Sequence, residues 1–544
     1  MQSEDKNEIQ HLPDIGRADS NEGEKVAPFD NSHIQIQSVD KLTPFQAAWR
    51  FRRIGFFCFL AAFSAGLDGF QGEPFYGSIV ANKGFIQQFA PPGTTVLDAQ
   101  WVSIWGGLSS TFQCLAQIAM VFLTDRFGRR PALWLTWVLL CSSVLAESLV
   151  TTNVGWMGAK ILAGAGIGAM QATLPLYINE LSPTQIRGFF TEAYTFWYVS
   201  GQLMSAVTLQ RLGVTNPYDF RLAIYTQWGM IGGLAIIYLV LPESPWWLVQ
   251  HDKIDKARKS LGRLKRGVPD YDVEVELAVM RNTIDEQRAR AQQTGPIPLK
   301  MIFRGLNGKR LIIALWPKLC QQFVGLSVFN NYATYFFQIA GNKDPFLVTI
   351  ILSCCQLLSM CFTMVLVDNW GRRPLTVYGY MITTLADFGM GAVGMYDVAG
   401  NEKLGSLLVF FACLATFTTT SSSAIGYAYL SEIPKQDFRA KSAGWGLAFP
   451  NFFSIMFSFV TPYMLKGTTS GFPGWGVKTG FFFGCTGVIV CTVSWFIIPE
   501  TARRTPAEID EMFESRVNLR KFKGYKTEVQ RELDEQEHVA ELRP

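Results

Sequence analysis

Apolar runs of about 20 residues, the length a helix needs to cross a bilayer, recur along this chain between short polar turns. The first covers roughly 54–77, and five more start near 100, 131, 155, 190 and 222. After a polar interval, six others start near 311, 346, 375, 404, 440 and 478. The pattern predicts an all-α membrane protein with twelve transmembrane helices in two six-helix halves. Between the halves, residues 242–310 are rich in Lys, Arg, Glu and Asp, with apolar positions at helical spacing such as Ala257, Leu261 and Leu264. That spacing predicts a linker of short amphipathic helices. The expected organisation is a polar N-terminal tail at 1–52, a first half at 53–241, the linker at 242–310, a second half at 311–501 and a charged tail at 502–544. The start of the chain is polar and acidic, which is the composition of a disordered tail and not of a cleaved signal peptide.

The polar turns repeat. Asp125-Arg126-Phe127-Gly128-Arg129-Arg130-Pro131 returns as Asp368-Asn369-Trp370-Gly371-Arg372-Arg373-Pro374, 243 residues later. Glu180 and Arg187 return as Glu432 and Arg439, and Pro242-Glu243-Ser244 as Pro499-Glu500-Thr501. Three landmarks in the same order at similar offsets point to a duplicated, pseudo-symmetric membrane protein.

Composition agrees. Of 544 residues 49% are hydrophobic and 17% charged, with 42 Phe and 15 Trp. Soluble domains carry about 25% charged residues, so the deficit favours a multi-pass membrane protein in contact with lipid. A net charge of +4 is too small to imply a nucleic-acid partner. Both GRR turns and the linker are basic, whereas the opposite loops carry few cations, such as Lys83 and Lys343. By the positive-inside tendency the basic side is cytoplasmic, and twelve spans put both termini there.

The ten cysteines lie in or beside apolar runs without CxxC spacing, and the four histidines lie outside the spans. Neither a metal site nor a cofactor is expected, and the cysteines read as small packing residues. No Walker motif, nucleophile elbow or HExxH is present, so an enzyme is not expected. Gly164-Ala165-Gly166-Ile167-Gly168 lies within a span, where small residues permit close helix approach.

In-membrane carboxylates are the sharpest chemical signal. Asp68 sits mid-span in Gly66-Leu67-Asp68-Gly69, where a charge costs about 2.5–3.5 kcal/mol on the mild insertion scale. Either it carries a coupling proton or it is held by backbone hydrogen bonds. Glu73, five residues on, either joins it or faces external water. Glu147, Glu192 and Asp387 are further carboxylates in or near spans three, five and nine.

The two GRR turns, Pro242-Glu243-Ser244-Pro245-Trp246-Trp247-Leu248, Gln321-Gln322-Phe323-Val324-Gly325 and Pro499-Glu500-Thr501-Ala502-Arg503-Arg504-Thr505 together resemble the sugar porters of the major facilitator superfamily over about residues 50–515. Glu243–Leu248 and Tyr194–Gln202 look most like the fungal α-glucoside, maltose permease-like branch. The resemblance implies a monomeric carrier of the plasma membrane that moves a sugar by rocking its halves about a mid-membrane site. It implies proton symport through Asp68, with Lys160 standing where the family has a pairing Arg. It places Gln202, Gln321, Gln322, Asn331, Tyr427 and Asn451 at substrate-binding positions. It gives Asp125, Arg129, Arg130, Glu180, Arg187, Asp368, Arg372, Arg373, Glu432 and Arg439 the role of a cytoplasmic gate that latches the outward-open state. Ser327, Ser423-Ala424 and Thr195 depart from the family pattern, so the pocket is rebuilt. A carrier or exporter of another small polar fungal metabolite is the alternative, and a non-transporting sensor of the same fold a weaker one.

Overall fold

The computed structural model describes residues 46, 49–94, 96–183, 187–268, 271–294, 299–396, 398, 401–435, 439–467, 473–502, 504 and 506–525. Of two compact units, Met1–Leu42 lies outside these residues and Thr43–Pro544 contains all of them. The N-terminal tail expected at the start of the chain therefore falls almost wholly outside the description, as does the charged tail beyond 525.

Helices account for nearly all of the described chain. The first crossing is α1 (Arg52–Phe63) continued by α2 (Ala65–Gln71), followed by the short α3 (Glu73–Ile79) and α4 (Lys83–Phe89). Crossings two to six are α5 (Ala99–Phe127), α6 (Arg129–Leu149), α7 (Asn153–Leu181), α8 (Arg187–Thr215) and α9 (Arg221–Val240). The linker forms α10 (Pro245–Gln250), α11 (Ile254–Leu264) and α12 (Val273–Thr294). Crossing seven is α13 (Gly305–Phe323), a π-helical turn at Ser327–Asn331 and α14 (Ala333–Ile339). Then come α15 (Pro345–Trp370), α16 (Arg372–Val393), α17 (Glu402–Glu432), α18 (Arg439–Lys466), α19 (Thr479–Ile497) and, after the last crossing, α20 (Pro506–Glu514).

Among the described residues nine of these stretches are long and apolar enough to span a membrane by composition alone. The other three crossings, α8, α13 and α16, are less apolar and carry several polar side chains of their own. Tyr194 and Gln202 lie on α8, Lys318, Gln321 and Gln322 on α13, and Asp387 on α16. Helix starts are chemically marked. Asp98 caps α5 through the Gln100 N–H, Thr152 caps α7 through Gly155, and Asn401 caps α17 through Lys403.

The repeated sequence motifs form one repeated device. A single glycine joins α5 to α6 and α15 to α16, with φ/ψ of 105°/170° at Gly128 and 91°/168° at Gly371. That conformation is open essentially to glycine alone. Glu243 then reaches the start of α6 and accepts from the Arg129 N–H at 2.9 Å and the Arg130 N–H at 3.1 Å. In the second half Glu500 accepts from Arg372 N–H at 2.9 Å and Arg373 N–H at 3.2 Å. Each carboxylate satisfies the free donors at a helix N-terminus and meets its positive end. Burial pushes the Glu243 carboxyl up, against the pull of the Ser244, Arg130 and Arg129 N–H groups. Tyr177 and Tyr429 complete the pattern by donating to the Pro242 and Pro499 carbonyls at 2.6 and 3.0 Å.

A methyl group on Gly371 would stand 2.5 Å from Glu500 Oε2, in a backbone conformation closed to alanine. Gly371→Ala is expected to cost about 1–3 kcal/mol, read as a fall in the thermal midpoint of the detergent-purified protein.

The linker packs Trp247, Leu248, Ala257, Leu261, Leu277 and Met280 into a small apolar cluster of its own. On the second half, Ile509, Met512, Phe513 and Phe522 close over Leu311, Tyr429 and Ile433, with Arg310 buried against Asp510 at 2.6 Å.

Candidate functional site

Close helix approach builds the centre of the first half. Cβ atoms added at Gly164 and Gly168 of α7 would lie 2.1 Å from the Ser109 and Gln113 carbonyls of α5. One at Gly69 of α2 would lie 1.8 Å from the Tyr198 carbonyl of α8. The small residues expected to allow packing in span four do so, and α2, α5, α7 and α8 converge tightly enough for their polar side chains to meet.

Between the halves lies a cavity of about 770 Å³, its open mouth included. From the first half it is lined by Asp68, Gln71, Gln113, Lys160, Gln171 and Tyr198, and from the second by Asn331, Tyr332, Asn451 and Ser454, among others. Four of the residues nominated from sequence, Asp68, Lys160, Asn331 and Asn451, therefore share one chamber.

Asp68 is 1% exposed. Its Oδ1 accepts from Gln171 Nε2 at 3.1 Å and its Oδ2 from the Tyr194 hydroxyl at 2.9 Å. The expected pairing of Asp68 with Lys160 gives way to a different one. Lys160 Nζ lies 2.9 Å from Glu147 Oε1 on α6, with both side chains almost fully buried, and 5.0 Å from the centre of the Trp156 ring. The packing of α6 against α7 sets the compact ammonium on Glu147. Neutral donors hold Asp68 instead. Glu73 lies in α3, and its side chain is outside the described residues.

A buried ion pair resists loss of one partner more than loss of both. Lys160→Met is expected to destabilise the protein by about 3–5 kcal/mol by stranding Glu147. Lys160→Met with Glu147→Met should recover most of that loss. Thermal unfolding of the two variants checks the contrast.

Further amides join Asp68 to its surroundings. Gln171 Oε1 accepts from Gln113 Nε2 at 2.8 Å and from Gln117 Nε2 at 3.0 Å, and Gln117 Oε1 accepts from Asn451 Nδ2 at 2.7 Å. Sequence reasoning passed over these three glutamines. Gln113 and Gln117 are one helical turn apart on α5, and Gln171 lies three turns beyond Lys160 on α7, so a face-by-face reading of the spans would have grouped them.

The other nominated binding residues lie outside the lining of this chamber. Gln202 is 2% exposed, and its Nε2 has no hydrogen-bond partner among the described residues. Gln322 is buried. Gln321 Oε1 accepts from the Ser423 hydroxyl, which also takes a hydrogen bond from Lys318 Nζ at 3.0 Å. Lys318 stands 3.5 Å above the ring of Tyr427, whose surface is half exposed. Ser423, a departure from the family pattern, is thus the residue that ties Gln321 down. Asn330 Oδ1 accepts from Gln356 Nε2 at 3.0 Å.

At the end of the bundle with the GRR turns, the described ion pairs join helices of the same half. Arg129 Nη2 lies 2.6 Å from Glu180 Oε1 and 3.5 Å from Asp125 Oδ1, and Arg372 pairs with Glu432. Arg130 and Arg373 donate to the Leu239 and Trp495 carbonyls at 3.3 and 2.9 Å. The side chains of Arg187, Asp368 and Arg439 are outside the described residues.

Hydrogen bonds between the halves run from mid-bundle to the opposite end. Ser78 and Thr334 share a bond of 2.6 Å, Ser103 donates to the Phe459 carbonyl, and Ser110 donates to Ser458 at 3.0 Å. Furthest out, Lys466 Nζ holds the Val96 and Leu97 carbonyls at 2.9 and 2.6 Å. The structure is the state closed at that end.

Solved structures share the fold. The xylose transporter XylE of E. coli in a partially occluded inward-open form superposes with a TM-score of 0.66 at 19% identity, over 83% of this chain and 99% of that one. The structure of the proton:xylose symporter XylE bound to 6-bromo-6-deoxy-D-glucose gives 0.64 at 21%, over 85% and 99%. Among curated proteins, the general alpha-glucoside permease of Saccharomyces cerevisiae is 29% identical over 413 residues, which are 74% of this chain and 64% of the permease. The match thus spans less than two thirds of that relative's length. The MFS transporter fmqE of Aspergillus fumigatus is 25% identical over 548 residues, 97% of this chain and 99% of its own. The family described as "Sugar (and other) transporter" matches residues 57–513, which takes in every membrane crossing except the first turns of the first, and the chain belongs to that family.

Proposed function

We propose that this chain is a secondary active transporter that moves a sugar, an α-glucoside such as maltose or a hexose, across the plasma membrane by alternating access with proton symport. The observation that carries the reading is the chamber between the halves. It is lined from both sides by amides, hydroxyls and tyrosines, the groups that hydrogen-bond ring hydroxyls, and among the described residues its one carboxylate is Asp68, held by neutral donors. A carboxylate in that setting can gain and lose a proton without breaking an ion pair. The end closed in this structure is the external one, since the opposite end carries the basic turns, and both termini are cytoplasmic. The expected gate residues pair within each half here, Arg129 with Glu180 and Arg372 with Glu432, so in this state they hold the helices of one half together, and their part as a latch of the outward-open state stays a proposal. The protein acts as a monomer. The likeness to the yeast alpha-glucoside permease supports an α-glucoside, and that to the proton:xylose symporter XylE supports the proton.

The second reading, a carrier of another small polar fungal metabolite, is favoured by the nearly full-length likeness to the Aspergillus transporter and by Lys318 beside Tyr427 where a neutral sugar needs no cation. Uptake of labelled maltose and glucose by yeast lacking its own sugar carriers separates the two. Saturable uptake of either sugar supports the first reading, and none, with the protein at the membrane, moves the assignment to the second.

A further inference from the structure

An unbroken line of primary amides runs from Asp68 to the opposite half. Asn451 on α18 donates to Gln117 on α5, Gln117 donates to Gln171 on α7, and Gln171 donates to the Asp68 carboxylate. Gln113 adds a second donor to the Gln171 oxygen. Every N–H in the line points toward Asp68. An ionised carboxylate at the end makes the last bond charge-assisted, and each bond polarises the next. Asn451, at the far end, faces the chamber, while Gln117 is not part of its lining.

We propose that Asn451, Gln117 and Gln171 form a relay through which the charge on Asp68 decides whether Asn451 is free to hold substrate. The proposal rests on the proton-coupled reading given above. With Asp68 ionised, the line is drawn toward it and the Asn451 amide is engaged by Gln117. When Asp68 takes a proton, its new O–H is a donor. Gln171 then turns its carbonyl to that donor and withdraws it from Gln113 and Gln117. Gln117 lets go of Asn451, whose amide can meet a substrate hydroxyl. Loss of the proton reverses each step. One proton passes between water and the carboxylate, and no bond of the substrate changes. By linkage, substrate on Asn451 favours the protonated form of Asp68 by the same factor.

Several other titratable groups surround Asp68. Tyr194 and Tyr198 approach from α8 and Tyr238 from α9. Lys160, with its Glu147, comes from α7, and Glu73 lies on the next helix of its own strand of chain. All of these belong to the first half, whereas the amide line leads to the second.

Gln117→Leu cuts the line with Asp68 and Asn451 themselves unchanged, and leaves the Asn451 amide without its Gln117 acceptor. Labelled maltose uptake is measured at an acid and a neutral pH, with the amount of protein at the membrane determined in parallel. In the wild-type chain KM is expected to be about fivefold or more lower at the acid pH, the small end of typical coupling. In Gln117→Leu the two KM values should agree within about twofold while transport continues. If that variant does not reach the membrane, Gln117→Met, which keeps the length of the side chain and removes both of its hydrogen bonds in the line, decides by the same ratio. A variant ratio equal to the wild-type ratio overturns the relay and leaves proton coupling standing. A wild-type KM that ignores pH overturns the coupled reading, and the relay with it.

Discussion

Asp68→Asn is expected to abolish accumulation of labelled maltose above its outside concentration while leaving exchange of inside for outside maltose running. A potential of about 100 mV acting on one proton supplies about 2.3 kcal/mol. At about 1.4 kcal/mol per tenfold this supports roughly fiftyfold accumulation, and all of it depends on a group that changes charge. Asparagine keeps the size of the side chain; its one oxygen still accepts from Gln171, and its NH2 meets the Tyr194 hydroxyl, which can turn to accept. The fold should therefore survive, and the loss should fall on coupling. Accumulation ratio and counterflow, measured on the same membranes, check it. Loss of both together would make Asp68 a structural residue.

The second large effect is expected at Gly77. In the closed end α3 lies directly on the π-helical turn, and a Cβ on Gly77 would stand 1.7 Å from the Asn331 carbonyl oxygen. Backbone cannot yield by that much, so Gly77→Val keeps the halves apart there. Net transport should fall to background, since alternating access needs both ends to close in turn, while insertion is unaffected because the helix itself tolerates the residue. Ser78, 2% exposed and bonded to Thr334 in the closed end, gives the readout. Ser78→Cys should react several-fold faster with an impermeant thiol reagent when Gly77→Val is also present. The same chain without Ser78→Cys corrects for the ten native cysteines.

Periodicity carried most of the fold. Crossings expected to start near 100, 155, 346 and 404 begin at Ala99, Asn153, Pro345 and Glu402, because caps and turn residues mark those ends as clearly as the apolar runs do. The seventh crossing did not read as broken, since the turn at Gly325 and the π-helical segment after it leave the apolar run intact. GRR and Pro-Glu were legible as two separate repeats. That Glu243 and Glu500 close the helix starts behind Gly128 and Gly371 depends on a meeting of distant segments that spacing does not encode.

The site divides along the same line. Asp68 was legible because a mid-span carboxylate is costly wherever it points. Lys160 was legible as a cation but not in its choice of Glu147 over Asp68, which is set by how α6 and α7 are rotated against each other. Gln113, Gln117 and Gln171 are each unremarkable in their own span, and only their convergence makes them a group.

The central claim is that sugar and proton cross together. The direct measurement is purified protein in liposomes, with labelled maltose entry and internal pH followed in the same sample after maltose is added outside with no starting pH gradient. Internal acidification in step with maltose entry, absent in Asp68→Asn, is the predicted result. Maltose entry with no change of internal pH would contradict it.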